Sequence, residues 1–179
     1  EAIVPGQPYI FMANHQSASD IFTLLAGLPV PFRWVAKEEL FKIPIFGPSM
    51  RRAGYIPINR ANPRDAVRSL NKAAQRIREG ISVVVFPEGT RSEDGKLLPF
   101  KGGGFVLATK SSVPIIPTAI HGTFEVKPRG SFWVHPRTVY IHFAPPIETK
   151  GYRTRDKDVL KEQVFQALSA LLATQRHKS

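Results

Sequence analysis

Apolar residues along this chain follow two periodicities that alternate from one end to the other. Tyr9–Ala13 is a short continuous apolar run, the pattern of a buried strand. The polar turn Asn14–Ser19 is rich in residues that cap helices, and Asp20–Leu28 carries apolar residues suited to a helix. Arg33–Ala36 reads as a second strand. Between Leu40 and Ile58 the text changes: Pro44, Gly47, Pro48 and Pro57 interrupt apolar residues mixed with Lys42, Arg51 and Arg52. Loops with short helical pieces are expected there. The clearest helix is Pro63–Glu79. Asn62 suits its N-cap, Pro63 its first position and Gly80 its C-terminal cap, and Val67, Leu70, Ala74 and Ile77 form an apolar stripe. Ile81–Phe86 is a β-branched run that predicts a strand buried on both faces. Beyond the loop Pro87–Phe100 come a short helix, Gly104–Ser111, then strands over Val113–Ile120 and Thr138–Phe143. Asp158–Thr174 closes the chain as an amphipathic helix with Leu160, Val164, Leu168, Leu171 and Leu172 on one side.

Strands alternating with helices predict an α/β fold, a single domain over residues 1–179 with a mixed, largely buried β-sheet covered by helices. The composition agrees, with 42% hydrophobic and 22% charged residues in 179. Charge adds something new. The chain has 25 Lys+Arg against 14 Asp+Glu, a formal net charge of +11, so its partners are expected to be anionic: nucleic acid, lipid headgroups or a phosphorylated substrate. There is no cysteine, which excludes disulfides, Cys-ligated zinc and an acyl-cysteine intermediate. No apolar run reaches the roughly 20 residues of a membrane span. The chain opens at Glu1 directly before a strand-like segment, so an N-terminal anchor is expected to be missing from it.

Two constellations carry candidate chemistry. In Asn14-His15-Gln16-Ser17-Ala18-Ser19-Asp20, an aspartate in the first helical turn can fold back onto a histidine in the preceding loop. Its carboxylate would take the imidazole Nδ1–H and leave Nε2 as a base. The same spacing also fits a surface turn in which Asp20 only favours the helix N-terminus. Phe86-Pro87-Glu88-Gly89-Thr90-Arg91-Ser92 follows the most buried-looking strand, where ligands of α/β sheets bind. Gly89 and Thr90 would offer backbone amides and Arg91 a fork for phosphate oxygens, although a Glu88–Arg91 pair within a plain turn fits equally well. Lys37, Arg60 and Lys101 are further cations, and Gly102-Gly103-Gly104 lacks the spacing of a P-loop. Arg64, Arg68, Lys72 and Arg76 recur every four residues along the long helix, the pattern of a solvated face.

Taken in order, four blocks resemble the glycerolipid acyltransferase family that includes 1-acyl-sn-glycerol-3-phosphate (lysophosphatidic acid) acyltransferases. They are His15 to Asp20, Gly54 to Arg60, Phe86 to Ser92, and Val113-Pro114-Ile115-Ile116-Pro117, and the likeness runs from about Tyr9 to Ile120. Asn59 departs from the Asp that many members carry before the arginine. The resemblance implies a glycerol-3-phosphate acyltransferase-like fold, and catalysis by His15 as general base with Asp20 orienting it. It implies a substrate site built from Lys37, Arg60, Glu88, Gly89, Thr90, Arg91 and Lys101.

The implied reaction moves a fatty acyl group from a thioester donor to the sn-2 hydroxyl of 1-acylglycerol-3-phosphate, giving phosphatidic acid. The acceptor's hydroxyl would replace the serine of a Ser-His-Asp site, in keeping with the missing cysteine and the missing Gly-x-Ser-x-Gly elbow. No cofactor and no metal are implied; acyl-CoA or acyl carrier protein serves as co-substrate. Expected partners are the lysophospholipid acceptor, that donor and an anionic membrane surface, with no nucleic acid, at the cytoplasmic face of the inner or endoplasmic membrane. The alternatives are another lysophospholipid or lyso-aminolipid acceptor, or a non-catalytic basic module. Leu40–Ile58 is expected to dip into the lipid interface, with Phe41, Ile45 and Phe46 as its apolar anchors.

Overall fold

The computed structural model describes residues 3–59, 61–127 and 132–174. Six strands form one sheet: β1 (Ile10–Ala13), β2 (Phe32–Lys37), β3 (Ile56–Ile58), β4 (Ser82–Val85), β5 (Ile115–His121) and β6 (Tyr140–Phe143). Their order across the sheet is β3-β2-β4-β1-β5-β6, with only β6 antiparallel to its neighbour. β1 and β4, the two central strands, are buried at every position. That is why their sequences read as unbroken apolar runs rather than alternating ones.

The helices are α1 (Ser19–Gly27), α2 (Phe46–Arg52), α3 (Pro63–Arg78), α4 (Gly103–Ser111), α5 (Thr123–Val126) and α6 (Lys157–Thr174). One face of the sheet packs Ile10, Met12, Val83 and Val85 against α3, α4 and α6 through Ala74, Ile77, Phe105, Leu107, Leu160, Val164 and Leu168. The other face packs Tyr9, Phe11, Ala13 and Val84 with Leu24 of α1 and an aromatic group that includes Trp34 and Phe86. At Gly104 α4 lies close on the sheet: a Cβ there would lie 3.1 Å from Val85 Cγ1.

The predicted elements match these bounds to within about two residues, with three differences. Leu40–Ile58 is more regular than its prolines suggest, holding a 3₁₀ turn at Glu38–Lys42, α2 and the edge strand β3. Val67 is half exposed, and Ala73 takes its expected place among the buried residues of α3. Phe41 is a core residue, 2% exposed, with the Arg51 guanidinium 5.9 Å from its ring centroid, so it is not an interfacial anchor.

Candidate functional site

Two connections leave the carboxyl ends of the adjacent strands β1 and β4 and diverge. The loop after β1 turns into α1 on one face, and the loop after β4 leads to α4 on the other. A crevice opens where neighbouring strands send their chains to opposite faces, and ligands of open α/β sheets bind there. Both predicted constellations sit at this point.

The turn after β1 is fixed from both ends. Asn14 is fully buried and continues the β1–β5 pairing with its side chain: Nδ2 donates to the Ile120 carbonyl at 3.0 Å, and Oδ1 accepts from the Ile120 amide at 2.7 Å. Asp20, also fully buried, reaches back from the first turn of α1. Its Oδ2 accepts from His15 Nδ1 at 2.8 Å, from the Gln16 amide at 2.7 Å and from the Ser17 amide at 2.8 Å. A carboxylate only accepts, so Nδ1 carries the hydrogen and Nε2 is left with its lone pair. Asp20 Oδ1 is buried without a hydrogen-bond partner among the described residues, a costly arrangement of the kind found where function dictates geometry.

The imidazole is held in plane as well as in tautomer. Its ring stacks on Phe86 with centroids 3.9 Å apart and an angle of 11°, and Phe86 in turn stacks on Trp34 at 5.4 Å. In the sequence Phe86 stands at the end of the buried strand with no role of its own. Its register gives the signal: Phe86 lies two residues beyond Val84 and so faces the same side as His15.

Glu88 is only 2% exposed, and its carboxylate points inward. Oε1 accepts the His15 amide at 2.7 Å and Oε2 the Leu98 amide at 2.8 Å. The two loops are further tied by the Ser92 amide donating to the His15 carbonyl at 2.8 Å. Burial pushes the Glu88 carboxyl up to about 7, outweighing the two amides that favour its charged form, and the nearby Asp20 charge adds to the rise. No pairing with Arg91 is needed to explain its position.

The remaining predicted residues divide. Gly89 has φ +72, and its amide donates back to the Phe86 carbonyl at 3.1 Å, so it shapes a tight turn rather than presenting a free amide. The Lys101 side chain lies against it: a Cβ on Gly89 would come within 3.0 Å of Lys101 Cδ and 3.3 Å of Nζ. The Lys101 backbone amide also bonds the Pro87 carbonyl at 2.8 Å, bringing the two segments together. Thr90 is exposed and Arg91 half-buried on the same loop. Lys37 ends β2 at the same edge of the sheet and is exposed. Arg60 lies outside the described residues. Among the described residues no group of three or more His, Asp or Glu is arranged to hold a metal ion.

A base with free Nε2, oriented and charge-balanced by a buried carboxylate, with Arg91 and Lys101 on the neighbouring loop, can take a proton from a hydroxyl near an anionic group. Comparison with known proteins places the chain in a family. The acyltransferase family model matches residues 1–121. A chloroplastic 1-acyl-sn-glycerol-3-phosphate acyltransferase from Brassica napus is 42% identical over 69% of this chain and 36% of its own length. The 1-acyl-sn-glycerol-3-phosphate acyltransferase alpha of Mus musculus is 36% identical over 89% of this chain and 57% of its own. The chain thus spans between about a third and a little over half of these relatives. The crystal structure of the 1-acyl-sn-glycerophosphate acyltransferase PlsC from Thermotoga maritima superposes with a TM-score of 0.81 at 32% identity, covering 98% of this chain and 69% of that one. The fold is therefore the one expected, and the chain belongs to the acyltransferase family.

Proposed function

We propose that this chain transfers a fatty acyl group from a thioester donor to the sn-2 hydroxyl of 1-acylglycerol-3-phosphate. The single observation that carries the reading is the His15–Asp20 pair, 2.8 Å apart at the crevice between β1 and β4. His15 Nε2 takes the hydroxyl proton as the oxygen attacks the thioester carbonyl, forming a C–O bond and a tetrahedral oxyanion. Collapse breaks the C–S bond, and the imidazolium returns the proton to the departing thiolate, so ester and free thiol leave with the base restored. Asp20 stabilises the imidazolium between the two steps. General-base assistance of this kind contributes roughly 10²–10⁴-fold.

Arg60, Arg91, Lys37 and Lys101 hold the acceptor's phosphate, and Gly89 and Thr90 shape the space for its glycerol. Glu88 acts on the site from behind, fixing the backbone of His15 against the loop after β4. The donor is acyl-CoA or acyl carrier protein, and the reaction runs at an anionic membrane surface facing the cytoplasm. Among the described residues no helix is long and apolar enough to cross a membrane.

The test is acyl transfer from oleoyl-CoA to lysophosphatidic acid in detergent micelles, comparing the protein with His15→Ala. Phosphatidic acid from the first and a loss of at least about 10³-fold in the second supports the assignment. Turnover that survives in His15→Ala removes the general base. Turnover confined to another lysolipid acceptor keeps the base and changes the substrate.

A further inference from the structure

The basic stripe on α3 reads in the sequence as a solvated face, yet in the fold it borders a groove. Arg68, Lys72 and Arg76 line one wall of a cleft of about 420 Å³ between α3 and the edge strand β3, with Ile56 and Ala73 at its floor. None of the three cations is in an ion pair among the described residues. The acidic side chains of Glu38 and Asp65 also border the cleft, but neither is within ion-pair distance of them, and Asp65 is bonded instead by Asn62 Nδ2 at 2.7 Å. Three cations on one wall of a concavity, on a chain of net charge +11, are arranged for a multiply charged anion.

Position decides which anion. The cleft lies on the α3 face of the sheet, opposite the face of Phe86 and His15; Asn59, at the carboxyl end of β3, marks its end nearer the base, and Arg76, beside Gly54 and Arg33, its far end. β3 and β1 are separated by β2 and β4, so three strand spacings, roughly 14 Å, lie sideways between groove and base, and a ligand that reaches both must pass over the carboxyl edge of the sheet. The acceptor's phosphate is only a few bonds from its hydroxyl, too near to reach the groove while that hydroxyl meets His15. A thioester donor is built differently, because a long pantetheine arm separates its reacting carbonyl from its phosphates.

We infer that the β3–α3 groove binds the phosphate end of a pantetheine thioester donor while its acyl carbonyl reaches His15. This rests on the acyl-transfer reading and adds a second anion site to it. Phosphate in that place comes from acyl-CoA or from the prosthetic arm of a carrier protein.

The experiment uses Arg68→Ala/Arg76→Ala, since alanine at helix positions removes the charge while favouring the helix. Kinetics are measured with oleoyl-CoA, with oleoyl carrier protein, and with oleoyl N-acetylcysteamine, which keeps the thioester and lacks phosphate. The expected result is a KM for a phosphate-bearing donor raised about tenfold or more, from the loss of charge-assisted bonds. The KM values for the acceptor and for the phosphate-free thioester stay within about twofold. A rise with oleoyl-CoA, with carrier protein or with both identifies the source. Unchanged KM for both phosphate donors overturns the site, as does an equal rise for the phosphate-free thioester or a rise for the acceptor alone. Calorimetric binding of free CoA and of the unacylated carrier protein to both proteins separates this inference from the reaction itself. Binding of either that is lost in the variant, in a protein showing no turnover, keeps the groove and removes the acyl-transfer reading. Binding of neither by the unaltered protein removes the groove.

Discussion

Asp20 places three hydrogens on one carboxylate oxygen, so replacing it touches both the loop and the base. In Asp20→Asn that position holds either an oxygen, which still accepts all three hydrogens, or an NH2, which turns the His15 hydrogen to Nε2 and abandons the two amides; either way the negative charge that stabilises the imidazolium is gone. The expected kcat falls by about 10³-fold or more with KM little changed, as for orienting carboxylates in related triads. Circular dichroism like that of the unaltered protein shows that the loss is chemical; retained kcat would dismiss the orienting role. Glu88 leads to a different measurement. Its carboxyl holds a proton up to about pH 7 when folded, against 4.5 for the free group, so between these values the native state binds more protons than the unfolded chain. Stability must then fall as pH rises through that window. Urea unfolding at pH 5 and pH 7.5 measures the slope, which Glu88→Gln should flatten while lowering stability throughout, because its amide nitrogen cannot accept the second backbone hydrogen. The sequence shows that Glu88 belongs near the site, since it follows a buried strand in a recognisable block. That it faces inward, toward two amides 73 and 10 residues away, is long-range information with no local pattern.

At the scale of elements, legibility follows length and burial. α3 announces itself by its cap, its proline and its apolar spacing, and the structure uses the cap directly: Asn62 Oδ1 accepts the Asp65 amide at 2.9 Å. Asn62→Ala is expected to cost about 1 kcal/mol of stability, read from the urea midpoint, and to leave KM for the acceptor unchanged. β3 is the opposite case. Three residues with a proline in the centre cannot show alternation, and Pro57 lacks the hydrogen that an inner strand must donate. It is tolerated because β3 is an edge strand, pairing only with β2. Edge position is a property of the assembled sheet, so nothing within Ile56–Ile58 could reveal it. The start of α2 is similar: Gly47 packs so tightly on the Phe41 carbonyl that a Cβ there would clash with its oxygen. Gly47→Ala should therefore destabilise by about 1–3 kcal/mol, a backbone clash that the interrupting prolines concealed.

For the whole molecule, charge and exposed apolar surface together support the proposed contact with lipid. The short segment entering α2 presents Ile43, Ile45 and Phe46 to solvent, with Ile45 86% and Phe46 52% exposed, beside Lys42, Arg51 and Arg52. Ile45 holds φ +64, a conformation that costs a β-branched residue energy, and it places the side chain outward rather than in the core. Water offers no return for that strain, whereas an acyl interface does. Inserting both side chains would contribute on the order of 3 kcal/mol, and the surrounding cations add attraction to anionic headgroups that salt weakens. Ile45→Ser/Phe46→Ser should accordingly reduce co-sedimentation with phosphatidylserine-containing vesicles at least about tenfold, with the loss persisting at high salt. Arg51→Ala/Arg52→Ala should weaken binding at low salt only. Because Ile45 and Phe46 are exposed, the first variant keeps its melting temperature, whereas Phe41→Ser in the core does not. Unchanged vesicle binding in the folded Ser variant would move the lipid contact elsewhere, and the exposed Phe132 and Val134 supply the next surface to mutate.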